Sequence, residues 1–321
     1  MIDLLPGAQP MELMSVIEEH QRTCADFGLS GEIVEAYDLG YDSMQAFRRE
    51  DGTEIYYEVR GSGPPLCIVN NMYIVGPLWK NFTSKIVQQH TVVTYDLRNQ
   101  GASTTIDGDL TVADHVADLL ALLDVLKIEQ AYLLGTSIST LICRDFAVAH
   151  PERVSGLVLL GPFFNPLGSK RRKYLTRSWL RSLERGGPRG LFDHFYPLVF
   201  GDHTIENGGS PAYLALRDRF LALNSQRQLE KNLSASLTTT DDPAKLADVR
   251  CPTLLAAGEA DFFCSPSSLE GLAQLLPSGR AEVIPYAGHV PYFEATDYFE
   301  ELVLRFVGEI EIERSSAAST R

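Results

Sequence analysis

Gly135-Thr136-Ser137-Ile138-Ser139 is the stretch of this chain best suited to chemistry. An apolar run at 131–134 leads into it, and a helical pattern at 140–147 leads out. A serine on a sharp strand-to-helix turn, flanked by very small residues, is a nucleophile elbow. Gly135 leaves room for the turn, and a small residue at 139 lets helix and strand approach closely. The usual final glycine is here Ser139, the next smallest polar choice. The plainer reading of the same residues is a turn whose serine caps a helix. A serine hydroxyl is a poor nucleophile at neutral pH. Acyl transfer at Ser137 therefore needs a base within hydrogen-bond reach, and that base needs an orienting acid.

Seven histidines are available. His289 follows a strand and a glycine, near the edge where ligands bind in open α/β sheets. His115 and His150 lie on helical patterns and read as structural or exposed, and His194 and His203 fall in an aromatic helical segment. Asp261 follows an apolar strand at 252–257 and is the candidate orienting acid, with Glu259 its nearby competitor. The strand at 154–160 ends in Gly161-Pro162-Phe163-Phe164-Asn165, which offers no carboxylate.

The elements that must hold these groups alternate. Strand patterns at 66–69, 91–95, 131–134 and 154–160 are separated by helical ones, including 112–126 opened by a Thr111/Asp114 cap. A hairpin signal, Asp51-Gly52, joins strands at 44–48 and 53–59. The alternation stops at 163–245 and resumes with a strand at 252–257, a helix at 267–276, a strand at 281–284 and a helix at 293–308. A parallel sheet covered on both faces follows, interrupted by a helical lid. The divisions are an N-terminal helical extension at 1–43, an α/β core at 44–162 and 246–310, the lid at 163–245, and a disordered tail at 311–321. In the extension, Met11, Met14, Ile17, Cys24 and Phe27 recur at helical spacing. The helix at 10–26 needs a partner for that face, on this chain or in a homodimer.

Hydrophobic content of 45% and charged content of 22% fit an ordinary globular protein, and 321 residues can bury a full core. Net charge of −14 disfavours nucleic acid. No uncharged apolar run approaches a membrane span, so no membrane partner is expected. The five cysteines have no paired or metal-like spacing, and the N-terminus lacks a secretion signal; both point to the cytoplasm. Neither a metal nor a cofactor is expected, because no H-E-x-x-H, phosphate loop or dinucleotide fingerprint occurs.

Over residues 44–308 the chain resembles the α/β-hydrolase superfamily. Gly135–Ser139 matches its nucleophile elbow. Asp96-Leu97-Arg98-Asn99-Gln100-Gly101-Ala102-Ser103 resembles its D-x-R-G-x-G-x-S loop, with Asn99 for one glycine. Gly258-Glu259-Ala260-Asp261 resembles the acid turn, and Gly288-His289 followed by Glu294 the histidine turn. The resemblance implies an α/β-hydrolase fold with a mostly parallel sheet and an inserted helical lid. It implies the roles nucleophile, acid and base for Ser137, Asp261 and His289, in that fold's chain order. It further implies an oxyanion hole from the N–H groups of Ile138 and Met72. Asn70-Asn71-Met72-Tyr73 stands where many relatives carry His-Gly. Asparagine tolerates left-handed backbone angles, so Asn70 or Asn71 can shape that turn.

Residues 161–190 hold eight bases and one acid, Glu184. Lys173, Arg177, Arg181 and Arg185 share one helical face, and Leu175, Trp179 and Leu183 the opposite one. The basic face is a solvated surface, a docking face for an acidic acyl carrier protein, or a seat for the acidic N-terminal extension. Phe163, Phe164, Phe192, Phe195, Tyr196 and Phe200 can wall an apolar acyl pocket beside Asn70, Asn71 and Tyr73, or form the lid's own core. The expected activity is serine-dependent cleavage of an ester or thioester of an apolar acyl substrate, without a cofactor. Rival readings are a hydrolase-fold lyase or cyclase, favoured by the Asn70-Asn71 departure, an enol-lactone or carbon–carbon bond hydrolase, and a non-catalytic ligand-binding protein.

Overall fold

Runs of Val, Leu and Ala without polar alternation belong to strands buried on both faces. In the computed structural model, which describes residues 41–239 and 241–319, they form β3 (Pro65–Val69), β4 (Thr91–Tyr95), β5 (Ala131–Thr136), β6 (Val154–Leu160) and β7 (Thr253–Gly258). With β1 (Gln45–Arg48), β2 (Glu54–Arg60) and β8 (Gly279–Ile284) they make an eight-stranded sheet in the order β1-β2-β4-β3-β5-β6-β7-β8. The β1–β2 and β2–β4 pairs are antiparallel and the others parallel. The β1–β2 turn uses Gly52 at φ 85°, and Asp51 Oδ1 accepts the Thr53 N–H at 2.9 Å.

Helices α1 (Val112–Val125) and α2 (Ser139–Ala149) follow β4 and β5. A reciprocal Thr111/Asp114 capping box opens α1. Between β6 and β7 lie α3 (Lys170–Val199), α4 (Asp202–Leu223) and α5 (Gln226–Thr238). The first two bend where Gly187 (φ 61°) and Gly209 (φ 56°) leave helical geometry. Lid residues Phe192, Phe195 and Phe220 share one buried cluster with Met72, Ile74 and Val290 from the loops of the sheet. A second cluster packs α1, α2 and α6 (Pro266–Ala273) on other sheet residues.

After β8 come α7 (Pro291–Glu294) and α8 (Thr296–Ser319). The segment expected as a disordered tail from residue 311 is helical through Ser319. Two of its polar residues have partners on the sheet: the Tyr132 hydroxyl donates to Glu311, and Arg314 Nη1 donates to Ser155 Oγ at 3.0 Å. The helix expected at 10–26 lies outside the described residues. No helix among the described residues is long and apolar enough to cross a membrane.

Candidate active site

Strand β5 ends directly before Ser137, which takes a left-handed φ of 57°. Such a value is strained for a residue with a side chain. The turn is clamped: Ser137 N donates to Leu160 O at 2.9 Å, and Thr140 N and Oγ1 donate to Ser137 O at 3.1 and 2.5 Å. A Cβ on Gly135 would stand 2.7 Å from Cys143 Sγ and 2.8 Å from Ser139 O, so only glycine fits. Ser139 Oγ accepts the Thr136 N–H at 2.8 Å and lies within donating distance of Thr136 O and Val69 O. The serine that replaces the motif's glycine is thus a stitch between elbow and sheet.

His289 Nε2 lies 2.9 Å from Ser137 Oγ, and Nδ1 lies 2.9 Å from Asp261 Oδ2. Asp261 and His289 are both buried. Asp261 Oδ1 accepts the N–H groups of Phe263 and Cys264 at 2.7 and 3.0 Å, which aims Oδ2 at the imidazole. With Nδ1–H donated to the carboxylate, Nε2 presents its lone pair to the serine hydroxyl. Glu259 is exposed and accepts the Tyr286 N–H at 3.3 Å, so it is not placed beside the histidine.

The histidine turn is fastened to the lid. His289 N donates to Val199 O at 2.7 Å. Glu294 accepts the N–H of Gly288 on Oε1, and the N–H of Gly201 and hydroxyl of Thr204 on Oε2, each at 2.8 Å. The motif at Gly288-His289 contained Glu294, but nothing in the local sequence named its partners 90 and 93 positions away.

The loop after β3 is held by its asparagines in a way their backbone preferences did not indicate. Neither has a positive φ; instead both side chains are spent on hydrogen bonds that tie the loop down. Asn70 accepts from Trp79 Nε1 at 2.7 Å and donates to Gln100 Oε1 at 3.2 Å. Asn71 Oδ1 accepts the Tyr73 and Ile74 N–H groups at 2.8 and 3.1 Å, and its Nδ2 donates to Tyr292 OH at 3.0 Å. Left-handed geometry falls on Asn99 (φ 59°), where the resembling loop has glycine. Ile138 heads α2 at φ −61°, ψ −30°, and N–H groups in the first turn of a helix have no acceptor within it.

Residues 64–296 match the family described as alpha/beta hydrolase fold. The chain belongs to the α/β-hydrolase family. RutD of Azorhizobium caulinodans, named as a carbamate hydrolase, is 28% identical over 260 residues, 80% of this chain and 96% of that one. Polyketide synthase ThaQ of Burkholderia thailandensis is 30% identical over 258 residues, which are 78% of this chain and 12% of that protein. A hydrolase structure from Pseudomonas aeruginosa superposes with a TM-score of 0.73 at 25% identity, covering 83% of this chain and 98% of that one.

In this α/β hydrolase, Ser137 and His289 open into a cavity of about 160 Å³ under the lid. Asn71, Met72, Tyr73, Phe192, Phe195 and Phe220 are among its lining. Asn70, Phe163, Phe164 and Tyr196, expected in the wall, are not in it. Asn70 is buried against Trp79 and Gln100, and Phe163 stacks on Trp179 at 5.7 Å and lines a smaller neighbouring cavity. Ile138 shares with Met72 a separate small cavity, also lined by His115, whose imidazole burial pushes down to about 4. Arg177, Arg181 and Arg185 are exposed and Lys173 half-buried. Arg172, beside that face in sequence, is buried, and its Nε donates to Asp241 at 3.0 Å. Among the described residues no three His, Cys, Asp or Glu side chains gather as a metal site.

Proposed function

We propose that this hydrolase cleaves an ester or thioester of an apolar acyl group through an acyl-enzyme on Ser137. The observation that carries the reading is the hydrogen-bonded line Ser137–His289–Asp261 opening into an apolar cavity. Ser137 Oγ attacks the acyl carbon as His289 Nε2 takes its proton. Asp261 holds the tautomer and stabilises the imidazolium. The Ile138 and Met72 N–H groups hold the oxyanion. Nε2 then protonates the leaving alcohol or thiol, and water enters by the same base to release the acid.

The test is labelling by a fluorophosphonate probe followed by mass spectrometry of the adduct. Labelling of Ser137 that vanishes in Ser137→Ala supports the reading. An unlabelled wild-type protein with tight affinity for some small molecule favours a binding protein. The lyase reading rested on Asn70 and Asn71, and both side chains are occupied in holding their own loop.

The acyl group is proposed to arrive on an acidic carrier protein. Two features support this: the exposed Arg177, Arg181 and Arg185, and the similarity to part of a polyketide synthase. A cytoplasmic setting accords with thiols at Cys67, Cys143, Cys251 and Cys264 that form no disulfide.

A further inference from the structure

Two buried polar atoms, on residues that line the cavity, have no role in the chemistry above. Trp179 is 3% exposed, and its indole Nε1 has no hydrogen-bond partner among the described residues. The Tyr73 hydroxyl is equally shielded and also unpartnered. Both side chains line the cavity into which Ser137 and His289 open. Their rings meet edge to face with centroids 6.4 Å apart. Each ring also stacks on a phenylalanine. Tyr73 stacks on Phe195 at 4.8 Å, nearly parallel, and Trp179 stacks on Phe163.

Buried N–H and O–H groups are nearly always satisfied in native proteins, and an unmet one is costly. An indole N–H can only donate, and a phenol hydroxyl can donate as well. Around them the wall is built of Met72, Phe192, Phe195 and Phe220. Two preorganised donors in an apolar wall select for an acceptor atom brought by the ligand.

We propose that Tyr73 and Trp179 are specificity residues. Their O–H and N–H groups bind a second oxygen acceptor, a ketone or ether oxygen, carried on the acyl chain beyond the scissile carbonyl. The inference rests on the acyl-transfer reading, and it narrows the substrate class from a plain apolar acyl group to an oxygenated one.

The test compares p-nitrophenyl hexanoate with the 4-oxo and 5-oxo hexanoates, in wild type, Tyr73→Phe and Trp179→Phe. Both substitutions keep an aromatic ring and remove one donor. At least one oxo ester should exceed the plain ester in kcat/KM in the wild type. That ratio should fall by about 5- to 10-fold in each variant. A ratio near one in the wild type, or one that neither variant changes, overturns the proposal while leaving ester hydrolysis standing. Arg219 lines the same cavity, so the p-nitrophenyl monoester of glutaric acid is included. Preference for it that survives both substitutions assigns selection to that cation and overturns the proposal. Failure to cleave any ester overturns the acyl-transfer reading itself. The donor pair is then judged by Tm shifts with hexanamide and 5-oxohexanamide. A larger shift with the oxo amide that both variants abolish upholds the pair, and equal shifts overturn it.

Discussion

The hydroxyl of Ser139 lies 2.7 Å from the carbonyl oxygen of Val69, 70 residues earlier in the chain. Val69 is the last residue of β3, directly before the loop that carries Met72. The contact therefore ties the nucleophile turn to the loop that the proposed mechanism uses for the oxyanion. Ser139→Gly restores the commoner motif but removes this tie. It should lower stability by about 1–2 kcal/mol, through the lost hydrogen bonds and the added backbone freedom. Thermal unfolding of the two proteins checks this, and an unchanged or raised Tm would count against the stitch.

Asp261→Asn should reduce kcat by about 10⁴, because the amide no longer enforces the tautomer in which Nε2 accepts. Glu259→Gln should change kcat little, since that side chain is exposed and bonded to the Tyr286 amide. Steady-state kinetics on one ester decide between them. Equal losses in the two variants would refute the assignment of Asp261 as the orienting acid.

Glu294→Gln should lower kcat by about 10- to 100-fold, because small displacements of a reacting group are costly. The carboxylate accepts three hydrogen bonds that join Gly288 to Gly201 and Thr204, and an amide cannot accept all three. A circular dichroism spectrum like that of the wild type would show that the fold survives. Wild-type kcat in the variant would rule out a positioning role for this carboxylate.

Asp96 gives stability a pH dependence of unusual sign. Burial raises its carboxyl to about 6, outweighing the N–H groups of Gly76 and Ala102 and the Tyr41 hydroxyl that it accepts. The folded state thus binds this proton more tightly than the unfolded chain, whose value is 3.8. Its contribution is fully present below pH ~4 and is lost as pH rises through ~6, a change on the order of 3 kcal/mol. The stability difference between wild type and Asp96→Asn, from denaturant unfolding, should shrink over that window. A difference independent of pH would contradict the shift.

Replacing Arg177, Arg181 and Arg185 with glutamate should lower kcat/KM for a carrier-bound acyl thioester by about 10-fold or more at low salt. It should barely change kcat/KM for the free small thioester. Charge of this kind speeds encounter more than it tightens the complex. The screening length is ~8 Å at 0.15 M salt, so the effect should fade as salt rises. Equal loss on both substrates would make the face structural, and no loss on either at low salt would remove the carrier.

Local order was legible because it is written in local terms. Short apolar runs marked the strands and a 3.6-residue period the helices, and small residues around Ser137 marked a turn that only glycine at 135 permits. The chain order of serine, acid and histidine could be read in the same way, since each follows a strand. Folding brought together what lies far apart in sequence. Asp261 rather than Glu259 reaches a histidine 28 positions on, because one of two nearby carboxylates turns inward. Asn70 and Asn71 act through side chains that meet Trp79, Gln100 and Tyr292, not through left-handed backbone. Arg172, one of the eight bases of 161–190, is buried against Asp241, 69 positions later. Aromatic composition announced an apolar cavity, but it could not say which rings line it or that Tyr73 and Trp179 keep unmet donors there. Periodicity reports which face of an element is buried, and only packing decides what each buried atom touches.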